Sequence, residues 1–210
     1  YGSSTGTNSE SIVTAYLGLD AAADSLNVQS LLQFMTLRHF QKCGHKPILL
    51  IGGGTSKVGS DESRETFERN KREIIAVFEK FLTFEHDDAL DKASTKACIV
   101  SPLQMLDFLT KYGENTNIDQ MLRIDAIKRL ITGGLTMGGG QLSFLQFNET
   151  IMKVHDFLDL HSRYGVKLQL GGADQWDTIT SGVKLGQFHH AQLFGLTAPS
   201  IITFDGKEIG

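Results

Sequence analysis

The chain has 210 residues, of which 40% are hydrophobic and 21% are charged, so it can bury the core of one globular domain. Its 20 Lys and Arg residues against 24 Asp and Glu residues give a formal net charge of -4, which excludes nucleic-acid binding through a global positive field. No apolar run reaches the roughly 18 to 20 residues of a membrane span, so we expect no membrane insertion.

Residues 1–15 open with a stretch rich in Ser, Thr and Gly that lacks the basic or apolar character of a targeting signal, and we expect a disordered or processed N-terminal segment. A strand is expected just before Asp20. The next segment predicts a helix from Asp24 to Cys43, ended by Gly44, with an apolar face made of Val28, Leu31, Leu32, Met35 and Phe40. The run Lys46–Ile51 predicts a strand buried on both faces, which completes a parallel βαβ unit.

Three further helices are predicted, at Arg64–Phe84, Pro102–Tyr112 and Asn117–Ile131. Five glycines follow between Gly133 and Gly140, which indicates a flexible connection because the spacing and the Lys-Ser/Thr pair of a Walker phosphate loop are missing.

The last third predicts a helix at about Phe147–Tyr164, a strand at Val166–Leu170, another strand-to-helix unit, and a last strand at Ala198–Phe204 before a turn at Asp205-Gly206. Strands that alternate with helices indicate an α/β fold with a parallel sheet, whose ligands bind at the carboxyl ends of the strands.

Metal binding is not expected. Cys43 and Cys98 are far apart and have no ligand spacing, so both are interpreted as small core residues of a protein from a reducing compartment. His189-His190 likewise has no carboxylate or cysteine at ligand spacing.

Six stretches share their order and spacing with one family. They are Tyr16-Leu-Gly-Leu-Asp20-Ala-Ala-Ala-Asp24-Ser25-Leu26, Arg38-His-Phe-Gln-Lys-Cys-Gly-His-Lys-Pro47, Ile51-Gly-Gly-Gly-Thr55, Pro102-Leu-Gln-Met-Leu-Asp-Phe-Leu109, His155-Asp156-Phe157-Leu158 and Leu170-Gly-Gly-Ala-Asp174-Gln175-Trp176. From Tyr16 to Gly210 the chain resembles the catalytic domain of bacterial and organellar tyrosyl-tRNA synthetases of class I.

The resemblance implies a Rossmann-like parallel sheet in a catalytic domain at 16–210, with a helical connective insertion at about 101–145. The family dimerises through that insertion, so a homodimer is implied, although plain core packing also explains its apolar residues. The family's pyrophosphate-binding loop would begin just after Gly210. If the 210 residues are the whole protein, that loop and the C-terminal tRNA-binding region are absent. If they are only the ordered part, this argument about the two segments does not apply.

The family's nucleotide-binding His-x-Gly-His motif is replaced here by Asn27-Val28-Gln29-Ser30. Both imidazoles are gone, and Gln29 is expected to obstruct the nucleotide. Losing one preorganised donor typically costs about a hundred- to a thousandfold in rate, so we expect a degenerate catalytic motif. Gly172 and Asp174 match the remaining nucleotide-binding positions.

The tyrosine pocket is only partly retained. Tyr16 and Asp156 match the residues that bind the substrate's phenolic hydroxyl, and Asp20 and Gln175 match other substrate contacts. At the ammonium end the matching positions are altered to Ser60, Glu149 and Lys153. Glu149 and Lys153 are spaced for an i,i+4 ion pair that either fills the site or lies exposed without a role.

Two open points concern the segment after the Gly-Gly turn. Asp174 and Gln175 are equally explained as caps of the next helix. Trp176 is interpreted as a core residue.

Three functions remain open. The first hypothesis is a catalytically inactive synthetase-like protein without cofactors, serving as a structural or binding subunit of a larger assembly, in a mitochondrion or otherwise in the cytoplasm. The alternative is an active tyrosine–tRNA ligase that uses ATP, tyrosine and tRNA. The third is a small-molecule or RNA-binding module that keeps the phenol-binding floor.

Overall fold

The structure is a computed structural model that describes residues 12–21, 26, 28–52, 61–85, 94–136 and 142–207, with the backbone alone at 61–64 and 134–136. Its centre is a five-stranded sheet in the order β3-β2-β1-β4-β5. The strands are β1 (Thr14–Asp20), β2 (Lys46–Gly52), β3 (Cys98–Val100), β4 (Leu168–Gly172) and β5 (Phe194–Ala198), and every neighbouring pair is parallel. The predicted α/β fold with a parallel sheet is confirmed.

Strands β1 and β2 form the middle of this sheet because both are nearly continuous apolar runs. Every residue of β2 from Lys46 to Ile51 is buried, as expected of a strand covered on both faces. The last strand was predicted wrongly: β5 ends at Ala198, where the predicted strand begins. Pro199, which follows, has no N–H to donate to a ladder. The predicted turn at Asp205-Gly206 is present, with Gly206 at φ 82°.

Seven α-helices connect and flank the described strands. They are α1 (Val28–Lys42), α2 (Asp61–Phe78), α3 (Met105–Tyr112), α4 (Ile118–Leu122), α5 (Asp125–Thr136), α6 (Phe144–Tyr164) and α7 (Trp176–Phe188). None of the helices in the described part of the chain is both long enough and apolar enough to cross a membrane.

The helix bounds correct several predictions. The helix predicted at Asn117–Ile131 is two helices, because the chain turns at Arg123, whose N–H bonds the carbonyl of Gln120. The helix predicted to reach Phe84 ends at Phe78, and α6 begins at Phe144, where Ser143 and Gln146 form a capping box. Gly133 belongs to α5, while 137–140 of the predicted glycine-rich connection lie outside the described residues.

The buried face of α1 is not the predicted one. Val28 and Leu31 are 53% and 44% exposed, whereas Phe34 and Leu37 are buried with Gln33 against the sheet. Phe34 lies 4.0 Å, centroid to centroid, from Phe78 of α2, which fixes the orientation of the helix. The predicted cap at Asp24 lies outside the described residues.

Three apolar clusters hold the fold together. One lies between the sheet and helices α1 and α2, and a second lies on the opposite face under α6. The third joins helices α3 and α5 to α6 through Leu103, Phe108, Ile127, Ile151 and Met152. The segment predicted as an insertion therefore has a packed interior, and it also has an exposed apolar surface at Leu106 and Ile118.

Two of the three predicted core residues, Cys43 and Trp176, are exposed. Trp176, at the first position of α7, is 51% exposed. Cys98 is partly buried and packs against the second apolar cluster, so the prediction holds for it in part.

Candidate functional site

The site is built at the carboxyl edge of the parallel sheet. Strand β1 ends at Asp20, strand β4 ends at Gly172, and the two strands are hydrogen-bonded neighbours. The strand that follows β1 in sequence lies on its other side, so the gap between β1 and β4 is the topological switch point, where open α/β sheets bind ligands.

Tyr16 lies in the middle of β1 with its side chain 1% exposed and its ring edge-on to Phe157, 5.3 Å between centroids. Its hydroxyl oxygen is buried and has no hydrogen-bond partner. Burial raises the pKa of Tyr16 well above its ordinary value, and the nearby negative charge of Asp156 is a second, smaller cause of the same shift. The structure therefore brings Tyr16 and Asp156 together, as the sequence predicts, and leaves a neutral phenol with unused hydrogen-bonding capacity.

Asp156 lies on α6, 5% exposed, and its Oδ1 accepts a hydrogen bond of 2.7 Å from the Leu103 backbone N–H. Burial raises the pKa of Asp156 to about 7, against the lowering effect of the Leu103 N–H. A carboxyl that is half protonated near neutral pH can either donate to or accept from a ligand hydroxyl.

The shifted pKa also links Asp156 to stability. The folded state binds this proton more tightly than the unfolded chain, where the pKa is near 3.8. The carboxyl therefore stabilises the fold fully below pH 3.8, and this contribution is lost as the pH rises to about 7.

Asp159, one turn further along α6, is buried and ion-paired twice. Its Oδ1 lies 2.9 Å from Lys111 of α3 and its Oδ2 lies 3.0 Å from Arg163 of α6. These pairs attach the inserted helix α3 to α6 beside the pocket. Sequence reasoning missed Asp159, because its partner on α3 is 48 residues away.

The predicted ion pair between Glu149 and Lys153 is not among the salt bridges of the described residues. Lys153 is exposed, whereas the Oε1 atom of Glu149 is buried and has no hydrogen-bond partner. The pair fails because the two side chains point to different environments, although their i,i+4 spacing permits contact. Neither interpretation of this pair, filling the site or lying exposed, is correct.

The glycines at the end of β4 hold the backbone open. A Cβ at Gly172 would lie 2.2 Å from Oδ1 of Asp174 and 2.9 Å from Nε2 of Gln33, so a side chain there would require both of these side-chain ends to move. Gln33 is a buried polar residue of α1 that the sequence analysis did not single out. No sequence signal marks Gln33, because it lies on a face of α1 that the apolar pattern does not predict to be buried.

Gly172 is followed by a short 3-10 helix, Ala173–Gln175, in which Asp174 is exposed and Gln175 is partly buried. Gln175 occupies the N-cap of α7 without a side-chain capping hydrogen bond, so the capping interpretation is wrong for it. The predicted site residue Asp20 is exposed at the end of β1.

Of the replaced nucleotide-binding motif, the structure describes Gln29 and Ser30, both partly buried in the first turn of α1. The Gln29 side-chain amide donates to the carbonyl of Pro199, 3.1 Å away, and accepts from the N–H of Ile201 at 2.9 Å. Asn27 and Ser60 lie outside the described residues.

A second concave region lies between α5 and α7, with a volume of about 670 Å³. Its charges are paired internally: Arg129 lies 2.9 Å from Asp177, and Lys128 and Lys184 both pair with Asp125. Within the described ranges, no group of three or more His, Cys, Asp or Glu side chains could hold a metal ion.

Comparison with known proteins identifies the family. The family of class I tRNA synthetases (W and Y) matches residues 8–209. The tyrosine–tRNA ligase of Zymomonas mobilis is 40% identical over 212 residues, covering 96% of this chain and 51% of that protein. The tyrosine–tRNA ligase of Beijerinckia indica is 41% identical over 206 residues, covering 93% and 48%. The chain thus spans about half the length of the curated relatives it matches.

Solved structures agree on the fold. A C-terminally truncated mitochondrial tyrosyl-tRNA synthetase from Coccidioides posadasii superposes with a TM-score of 0.67 at 24% identity, over 94% of this chain and 61% of that one. The tyrosyl-tRNA synthetase from Aeropyrum pernix gives a TM-score of 0.65 at 12% identity, over 96% and 56%. The chain belongs to the class I tRNA synthetases (W and Y), and its resemblance to the tyrosyl-tRNA synthetase catalytic domain is confirmed.

Proposed function

We propose that the chain is a tyrosine-binding catalytic domain of the tyrosine–tRNA ligase type, which forms tyrosyl-adenylate from tyrosine and ATP. One observation carries the proposal. Among the described residues, two buried side-chain atoms lack a hydrogen-bond partner, the hydroxyl of Tyr16 and Oε1 of Glu149, and both belong to the predicted tyrosine pocket. Leaving such atoms unpaired costs about 1–3 kcal/mol each, and a ligand that bonds both recovers that cost.

The spacing of these groups suits tyrosine. Glu149 and Asp156 are seven residues apart on α6, which places them on one face about 10 Å apart along the helix axis. A phenolic hydroxyl is bound between Tyr16 and Asp156, and the ammonium at the other end of the ligand pairs with the Glu149 carboxylate. Lys153 is exposed, so its charge is solvated and the repulsion it exerts on that ammonium is screened.

A second candidate function is a catalytically silent family member that serves as a subunit of a larger assembly. The specific observation in its favour is Gln29, whose side chain is committed to Pro199 and Ile201 at a position where the family places a glycine. The loss of both motif histidines supports the same candidate. A mitochondrial or a cytoplasmic compartment belongs to this proposal, and tRNA as a substrate belongs to the first.

Either candidate includes a homodimer through the inserted helices. Leu106, Leu109 and Ile118 of α3 and α4 are 75%, 55% and 69% exposed, an apolar surface beside the packed interior of the insertion. Sedimentation velocity of Leu106→Asp should show a monomer where the unaltered chain is a dimer. The matched control, Ile202→Asp, alters an exposed apolar residue far along the chain and should leave the dimer intact.

The deciding experiment is calorimetry with tyrosine and with ATP, together with tyrosine-dependent pyrophosphate exchange on the same sample. The first candidate requires tyrosine binding and exchange above background. Tyrosine binding without pyrophosphate exchange would favour the second candidate, the catalytically silent subunit. Absence of tyrosine binding would overturn the proposed pocket.

A matched pair of variants tests the pocket itself. Glu149→Gln should weaken binding of tyrosine and of tyramine but not of 3-(4-hydroxyphenyl)propionate, which has no amine. Glu114→Gln alters an exposed glutamate and should change none of the three. Equal weakening of all three ligands by Glu149→Gln would contradict the assigned ammonium contact.

A further inference from the structure

The first turn of α1 is joined to the segment after β5 by one side chain. Gln29 uses both ends of its amide: Nε2 donates to the Pro199 carbonyl at 3.1 Å and Oε1 accepts from the Ile201 N–H at 2.9 Å. The contact joins residues 170 and 172 positions apart in the chain. A two-bond pairing of this kind fixes orientation as well as distance.

The position of this contact follows from the strand order. Helix α1 follows β1 and Pro199 follows β5, while β4 lies between those two strands in the sheet. Two strand spacings amount to about 10 Å. The side chain of Gln29 and the segment it holds therefore pass in front of the carboxyl end of β4, where Gly172 and Asp174 lie.

The end of β4 is the part of the crevice that the contact covers. Gly172 is buried, and the side-chain ends of Asp174 and Gln33 lie close to its Cα, so these side chains also cover the end of β4. A ligand that reaches Gly172 from the carboxyl edge must displace the segment at 199–201 or pass beneath it.

We infer that Gln29 acts as a latch, which pairs with the backbone at Pro199 and Ile201 and restricts the access of a nucleotide to the carboxyl end of β4. This inference rests on the proposed function, because it takes the nucleotide to bind at Gly172 and Asp174. The tyrosine pocket at Tyr16 and Glu149 lies outside the latch, so the latch affects ATP and not tyrosine.

The size of the effect follows from the two hydrogen bonds. Each net hydrogen bond corresponds to a factor of about 2 to 12 in an equilibrium constant, so opening the latch through Gln29→Ala should tighten ATP binding about 5- to 100-fold. The same variant removes the acceptor of the Ile201 N–H, so hydrogen exchange at that amide should accelerate.

The chain offers a matched control at the other end of the same helix. Gln41 also holds distant backbone through both ends of its amide: Nε2 donates to the carbonyls of Thr83 at 2.8 Å and Thr95 at 3.0 Å, and Oε1 accepts from the Thr83 N–H at 2.9 Å. It lies about 18 Å from Gln29 along the helix axis. Gln41→Ala therefore loses a comparable contact away from the crevice.

The test is calorimetric titration of ATP and of tyrosine into the full chain and the two variants, with hydrogen exchange at Ile201. The expected result is tighter ATP binding and faster Ile201 exchange in Gln29→Ala alone, with tyrosine affinity unchanged in all three proteins. Three results overturn the latch. The first is faster exchange at the Ile201 amide of Gln29→Ala without tighter ATP binding, and the second is unchanged exchange at that amide. The third is a failure of the unaltered chain and of Gln29→Ala to bind ATP. Loss of tyrosine binding from the unaltered chain overturns the proposed function instead.

Discussion

Replacing Tyr16 by Phe should make the free protein more stable while it weakens tyrosine binding. The Tyr16 hydroxyl is buried without a hydrogen-bond partner, which costs the folded state about 1–3 kcal/mol. Phe keeps the ring and its edge-on contact with Phe157. In a chain of this size about 1 kcal/mol shifts the melting temperature by roughly 2–4 °C, so Tyr16→Phe should melt about 2–12 °C higher.

Saturating tyrosine should reduce the difference in melting temperature between the two proteins, because it stabilises the unaltered chain more than Tyr16→Phe. In the proposed complex the Tyr16 hydroxyl pairs with the phenol of tyrosine, so its loss should weaken tyrosine binding about 3- to 10-fold. The assay is scanning calorimetry of both proteins with and without saturating tyrosine. Tyr164→Phe is the matched control, because the Tyr164 hydroxyl is already paired with Arg163. A lower melting temperature for free Tyr16→Phe would show that the hydroxyl has a partner and would refute the reasoning.

Three other substitutions test the surroundings of the site by urea denaturation. Asp156→Asn removes the carboxyl whose pKa is raised to about 7. In the unaltered chain this carboxyl makes the free energy of unfolding fall by on the order of 4 kcal/mol between pH 4 and 7. The variant should lack this decrease, so its stability should depend less on pH. Asp159→Ala should cost about 1–3 kcal/mol, less at high salt, because two partly exposed cations lose their buried partner. Gly195→Ala should cost about 1–3 kcal/mol, because its Cβ would lie 2.2 Å from Cγ2 of Ile179, whereas Gly18→Ala meets no atom within 4 Å and should be tolerated.

The sheet could be predicted where the sequence is uniformly apolar. β2 is a run of buried residues ended by glycine, a pattern that is typical of an interior strand in a parallel sheet. β5 was missed because it is an edge strand with Phe194 and Leu196 exposed and Gly195 between them, so neither burial nor alternation marks it. The turn at Arg123 was missed because no Gly or Pro signals it.

The residues of the candidate site were likewise predicted only where a local sequence pattern marks them. Tyr16 and Asp156 were singled out because they belong to recognisable stretches of sequence, and the structure places them close enough that, besides burial, the charge of Asp156 raises the pKa of Tyr16. The contact of Gln29 with Ile201 spans 172 residues and depends on the course of the chain after β5, which no local pattern encodes. Glu149 shows the limit of spacing rules, because i,i+4 geometry permits an ion pair without deciding which way each side chain turns.

The predicted tyrosine pocket and the mouth of the crevice differ in whether their polar side-chain atoms are hydrogen-bonded. Within the described residues, the pocket keeps buried atoms unpaired at Tyr16 and Glu149, a cost that packing alone does not explain. At the mouth of the crevice, Gln29 has both ends of its amide paired. Unpaired atoms stabilise a complex when a ligand forms hydrogen bonds with them, whereas existing hydrogen bonds must break before a ligand can enter. Under the proposed function these atoms favour the amino acid over the nucleotide, so tyrosine binding is the property to measure before any activity.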